Sequence, residues 1–159
     1  MQSEPLRVLY FDIDGTLTDY DDAPKAAFAG GALEQALKDL SFDRLFCVSG
    51  WADPTANAQT RAPEEHRARA IHDLLRPVFP DRDWFLSRLA LGTDTDHRCR
   101  QIDLTTDWWY ADDWADKFFV EHFGRELYER ELGKRVLRVD PFTGGSDVLA
   151  WLTRIPVST

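Results

Sequence analysis

Cysteine is scarce in this chain: its 159 residues include two, Cys47 and Cys99, set far apart. No partner spacing ties either to a zinc site, and one disulfide is the most that two cysteines allow. Two reduced thiols are expected. Histidine is nearly as scarce. His66, His72, His97 and His122 are scattered without metal-ligand spacing and are expected to be surface or partly buried helix residues. Positive charge is short as well. The 19 Lys and Arg face 28 Asp and Glu, for a formal net charge of −9, so a diffuse basic footprint for nucleic acid or an anionic membrane is absent. Long apolar runs are missing. The early one, residues 8–11, stops at Asp12 and is too short for a signal peptide or a membrane span. These absences lead to the expectation of a cytoplasmic protein with no membrane partner. No internal repeat, low-complexity tract or linker interrupts the chain.

What is present can build a core. The chain is 43% hydrophobic and 13% aromatic, which sets it apart from disordered compositions. Its length argues for a single domain over residues 1–159. Residues 6–11, 45–48, 108–111 and 136–139 are short apolar runs rich in strand formers. Between them lie helical patterns. Residues 25–39 favour helix, with Gly30 and Gly31 weakening the first half. Residues 63–75 are the clearest helix. Pro63 suits a first turn, Glu64 and Glu65 favour a helix start, and Ile71, Leu74 and Leu75 form an apolar stripe. Residues 84–91 fit helix or strand, residues 92–97 are polar loop, and residues 114–130 and 148–152 fit helix. Strands alternating with helices predict an α/β sandwich with a mostly parallel sheet.

In such sheets ligands bind beyond the carboxyl ends of the strands. Three of the predicted strands end in polar or acidic groups: Asp12, Ser49, and Asp112 with Asp113. Asp12 and Asp14 fall on one face if the chain stays extended. Two carboxylates so close repel each other, and a hard divalent cation relieves the repulsion. One carboxylate can then attack phosphorus, and the other can give and take a proton. Gly15 allows a sharp turn beside a phosphate, and Thr16 can hydrogen-bond nearby.

The stretch Phe11-Asp12-Ile13-Asp14-Gly15-Thr16-Leu17 resembles the first motif of the haloacid dehalogenase (HAD) superfamily. The resemblance implies a Rossmann-like three-layer fold. It also implies a Mg²⁺-dependent phosphatase that works through an aspartyl-phosphate on Asp12. Asp14 would be the general acid/base and would offer its backbone carbonyl to the metal. Ser49 matches the second motif, which hydrogen-bonds the transferring phosphoryl group, and Gly50 would add a backbone donor. Residues 110–116 resemble the fourth motif, which supplies metal carboxylates. Two registers are open there, Asp112 with Asp113 or Asp112 with Asp116, and Asp112 belongs to both. The third motif needs a cation. Arg98 and Arg100 lead, Lys117 and Lys134 follow, and the Arg98 to Ile102 spacing is similar to that of small HAD phosphatases associated with RNA repair.

Little more than one helix separates Leu17 from Ser49, so no large cap domain is expected. The substrate class is a phosphorylated small molecule or a phosphorylated nucleic-acid end. Specificity is expected in residues 50–97 and in Trp108, Trp109 and Trp114. Two alternatives keep the same residues: phosphotransfer to another acceptor, and a non-catalytic phosphate-binding or regulatory module.

Overall fold

A computed structural model describes residues 5–55 and 61–157. Among the described residues five strands form one sheet: β1 (Arg7–Phe11), β2 (Arg44–Cys47), β3 (Leu89–Leu91), β4 (Asp107–Asp112) and β5 (Val136–Arg138). Their order is β3-β2-β1-β4-β5, and every pairing is parallel. The α-helices that accompany them among the described residues are α1 (Ala32–Asp39), α2 (Glu64–Leu74), α3 (Arg82–Arg88), α4 (Ala115–Phe123), α5 (Arg125–Glu131) and α6 (Ser146–Leu152).

The alternation of side chains along each strand builds the layers. Leu9, Phe11, Leu45, Cys47, Trp109 and Ala111 point to one face and join Leu33, Leu37, Ile71, Phe85 and Trp151 in a single core. Val8, Tyr10, Trp108 and Tyr110 point to the other and meet Cys99, Ile102, Phe119 and Tyr128. Because β1 and β4 are apolar on both faces, they read as continuous hydrophobic runs, as central parallel strands do. The result is a Rossmann-like three-layer sandwich without a large cap. Cys47 and Cys99 lie in the cores on opposite sides, both free, and burial pushes each thiol up to about 12.

The structure refines several predicted boundaries. Residues 84–91 are both helix and strand. Asp81 caps α3 by accepting from the Trp84 amide, and the chain turns straight into the edge strand β3. The helix over 114–130 divides at Gly124, whose φ of 89° no helical residue adopts. The first half of 25–39 is a 3₁₀ segment, Ala26–Gly31, ahead of α1. His66, His97 and His122 are exposed as expected. His72 departs from expectation. It is fully buried, with Nε2 3.1 Å from the Phe79 carbonyl. Among the described residues no helix is long and apolar enough to cross a membrane.

Topology determines where a ligand can enter. From β1 the chain moves out through β2 to β3, then returns to lay β4 on the other side of β1. The crevice at the carboxyl ends of β1 and β4 is the switch point at which such sheets bind ligands. Asp12 follows β1 directly, and Asp112 closes β4.

Candidate active site

The ladder between β1 and β4 continues one bond past the strand, from the Asp12 amide to the Ala111 carbonyl at 3.2 Å. This holds Asp12 at the sheet edge with 6% of its surface exposed. The chain then tightens. The amides of Thr16, Leu17 and Thr18 all donate to the Ile13 carbonyl, and the Gly15 amide donates to Thr18. Thr18 bridges to Pro24, so residues 19–23 form a short projecting turn that carries Tyr20.

Three carboxylates converge here. Oxygens of Asp12, Asp112 and Asp113 lie within 4.8 Å of one another. Arg98 enters between two of them, its Nη1 3.1 Å from Asp12 Oδ1 and 2.9 Å from Asp112 Oδ2. The Arg98 side chain is held from behind. Nε donates to the Thr95 carbonyl at 3.0 Å, Nη2 to Thr95 Oγ1 at 2.9 Å, and the guanidinium lies 4.0 Å from the Phe118 ring centroid. Asp112 is wholly buried. Its Oδ2 also accepts from the Tyr110 hydroxyl at 2.6 Å, and its Oδ1 from the Trp114 amide at 2.9 Å. Asp113 faces the cleft, where the Tyr20 hydroxyl donates to its Oδ2 at 2.7 Å.

A cleft of about 340 Å³ opens over this cluster, lined by Asp12, Asp14, Ser49, Gly50, Arg98 and Asp113 among others. The Trp51 amide donates to Ser49 Oγ at 3.3 Å, and its indole N–H reaches Asp14 Oδ1 at 3.5 Å. Charge is poorly balanced. Burial and then the Asp112 charge hold the Asp12 carboxyl well above the usual carboxylate range, with Arg98 opposing them. Burial also raises Asp14, opposed by the Trp51 hydrogen bond. The hydrogen bond to Asp113 pushes the Tyr20 phenol up to about 12.

The structure therefore gathers Asp12, Asp14, Ser49, Gly50, Arg98, Asp112 and Asp113, drawn from three strand ends and a 3₁₀ turn, Arg98–Gln101. Other expected residues fall elsewhere. Arg100 is a correction. Its side chain is 62% exposed and points to Asp94, 3.8 Å away. Successive residues of a 3₁₀ turn are about 120° apart, so with Arg98 turned inward Arg100 faces away. Thr16 is fully buried and holds the scaffold. Its Oγ1 accepts from the Asp113 amide at 3.2 Å, so it fixes a carboxylate and does not face a ligand. Asp116 lies outside the three-carboxylate group, with Arg138 Nε 3.6 Å from its Oδ1. Trp108 and Trp109 are buried in the two cores, and Trp114 lines the cleft. Lys117 lines the cleft too. Of residues 50–97, positions 56–60 lie outside the described residues, and Gly50 reaches the cleft. Tyr20 and Trp51 touch the acidic groups with no local motif to announce them.

Gly15 is required twice over. Its φ is 81°, and a β-carbon there would sit 2.4 Å from Asp113 Oδ2 and 2.9 Å from the Tyr20 ring. Gly15→Ala should therefore lose about 1–3 kcal/mol of stability, read by denaturant unfolding. An unchanged midpoint would show that the turn relaxes freely.

Compared with family models, curated proteins and solved structures, the chain gives no significant match, so its own geometry carries the functional reading.

Proposed function

We propose that this chain is a HAD-type, magnesium-dependent phosphomonoester hydrolase. The observation that carries the reading is Asp12. It is a buried carboxylate at the sheet's switch point, 3.1 Å from a buried arginine, in one cleft with Asp14, Ser49 and Gly50. A carboxylate beside a fixed cation and hydroxyl and amide donors suits attack on phosphorus.

The donor set fits a hard divalent cation. The cluster is all carboxylate, with neither histidine nor cysteine, and three carboxylates share a single arginine. Asp12 and Asp113, with the backbone carbonyl of Asp14, would hold magnesium; Asp112, expected from sequence as the first metal ligand, converges with them but has three hydrogen bonds on its two oxygens and would hold Arg98 behind them. Bound magnesium would supply charge neutralisation for the carboxylates and the phosphoryl group.

The steps belong to the chain's own groups. A carboxylate oxygen of Asp12 forms the bond to phosphorus as the bond to the leaving oxygen breaks. Burial makes Asp14 hold its proton more strongly than a free carboxyl does, and Asp14 gives that proton to the leaving oxygen. Ser49 Oγ, the Gly50 amide and Arg98 receive the phosphoryl oxygens. Water then attacks the aspartyl-phosphate, its proton returns to Asp14, and Asp12 and inorganic phosphate are regenerated.

The test is phosphate release from p-nitrophenyl phosphate by the full chain with magnesium and with excess chelator. Turnover should appear with magnesium and disappear with chelator. Equal rates in the two, or no release in either, would sink the proposal.

A further inference from the structure

A second, larger cavity of about 660 Å³ adjoins the acidic cleft and shares Tyr20, Asp113, Trp114 and Lys117 with it. Its size is that of a small-ligand pocket. Among the described residues the exposed tryptophan, tyrosine and phenylalanine side chains are Tyr20, Trp114 and Phe142, at 55%, 53% and 84%. All three line this cavity. Exposed aromatic surface gathered at one place marks a binding site far more often than aromatic residues scattered singly.

The Tyr20 ring is tied by its own hydroxyl, and the backbone carrying the other two rings is braced. The Tyr20 hydroxyl is tied to Asp113 at 2.7 Å, and the Trp114 amide to Asp112 at 2.9 Å. Phe142 rides on a cross-braced loop. Its amide donates to Asp140 Oδ1 at 2.9 Å, and the Asp140 amide donates to Asp147 Oδ2 at 2.8 Å. The buried Lys25 donates through Nζ to the Asp140 carbonyl at 3.3 Å. The Tyr20 and Phe142 rings meet at 74° with centroids 6.3 Å apart, forming two walls of a corner. Asp116 and Asp140 on the cavity wall are acceptors for ring N–H or amino groups, and Lys117 and Arg138 are donors for ring carbonyls.

We infer that this cavity binds the planar base of a phosphorylated nucleoside whose phosphate lies in the acidic cleft. This inference rests on the proposed phosphatase reading for the role of the phosphate, and on the exposed aromatics for the base. A phosphorylated sugar carries no planar group beyond its ring. A nucleoside phosphate carries its base one sugar further, into the larger cavity. A net charge of −9 works against holding a long polyanionic strand, which favours a mononucleotide or the terminal nucleotide of a strand.

The test is calorimetric titration of the Asp12→Asn full chain, in magnesium, with adenosine 5′-monophosphate, cytidine 3′-monophosphate and ribose 5-phosphate. At least one nucleotide should bind about tenfold more tightly than the sugar phosphate, the size expected for base stacking. Phe142→Ala in that background should remove the advantage and leave ribose 5-phosphate affinity unchanged, because Phe142 lines the larger cavity and not the acidic cleft, and Trp114→Ala should also remove the advantage. Equal affinities for sugar phosphate and nucleotides, no binding of any nucleotide at millimolar concentration, or an advantage that survives both substitutions would overturn the inference. A dinucleotide with a terminal phosphate distinguishes the source. Affinity tenfold above the mononucleotide points to a strand end, and equal or weaker affinity to the free nucleotide. Because binding is read without turnover, a failed phosphate-release assay leaves this result standing on its own.

Discussion

Asp12→Asn should abolish magnesium-dependent phosphate release, by about 10⁴-fold or more, as loss of a nucleophile does, and in the absence of metal should make the protein more stable. The two effects share one cause. Asparagine keeps an oxygen that Arg98 can reach but cannot form the acyl bond to phosphorus. It also removes a charge that the fold holds at a cost. The Asp12 carboxyl is raised chiefly by burial and then by Asp112. An acid raised in the folded state binds more protons there than in the unfolded chain. Stability therefore falls as pH rises from about 4, the unfolded carboxyl value, through the raised one. The variant lacks this loss. At neutral pH in chelator it should gain on the order of 1 kcal/mol, and the gap should close towards pH 4. Thermal unfolding of both proteins across that range reads the gap directly. Undiminished turnover would end the assignment of Asp12 as nucleophile. A variant less stable than wild type at neutral pH would end the account of strain by buried charge.

The position of Asp12, at the end of a central strand and beside further acids, was legible in sequence because its evidence is local. A buried strand is followed at once by an acid, a second acid two residues on, and a glycine that takes the left-handed turn. The central strands were legible for the same reason. Both faces of β1 and β4 are covered, so their residues form unbroken apolar runs. Legibility failed where an element is short or its partner distant. β3 is three residues of an edge strand fused to the end of α3. Its apolar residues extend the helix pattern, and the register against β2 alone decides which they are.

The site divides along the same line. Asp112 and Asp113 follow a recognisable strand, and the choice of Asp113 over Asp116 needed the three-dimensional convergence on Asp12. Arg98 and Arg100 differ little as sequence. The 3₁₀ turn sends one to Asp12 and the other to solvent. Tyr20 meets Asp113 across 93 residues, and Trp51 meets Asp14 across 37. No periodicity or spacing reports contacts of that range. Phe142 was silent for another reason. An exposed aromatic in a polar loop reads as nothing until Tyr20 and Trp114 appear around the same cavity.

Arg98 carries the second large effect, and here fold and catalysis can be separated. Arg98→Met should cost about 3–5 kcal/mol, the usual penalty for leaving buried charge without its partner, against a total stability of about 5–15 kcal/mol for a domain. Its positive charge is what opposes the rise of both Asp12 and Asp112. Without it both carboxyls rise further, so the deficit should be greatest at neutral pH and shrink as pH falls towards about 4. Adding Asp112→Asn removes one of the two stranded charges. The new amide side chain would keep an oxygen for the Trp114 amide or the Tyr110 hydroxyl, both of which Asp112 now serves. The double variant should therefore be more stable than Arg98→Met alone, a coupling that urea unfolding of the four proteins of the cycle measures. Catalysis should not follow. No group in the double variant replaces a cation 3.1 Å from Asp12, and phosphate release should stay at the level of Arg98→Met. Arg98→Lys tests the requirement from the other side. It restores charge but not the fork that reaches Asp12, Asp112 and Thr95 together, so it should recover part of the stability and only a fraction of the rate. If the double variant regains both stability and turnover, Arg98 is a structural counter-ion alone, and the receiver of the phosphoryl oxygens must be sought elsewhere, with Lys117 the cationic side chain that remains on the cleft wall.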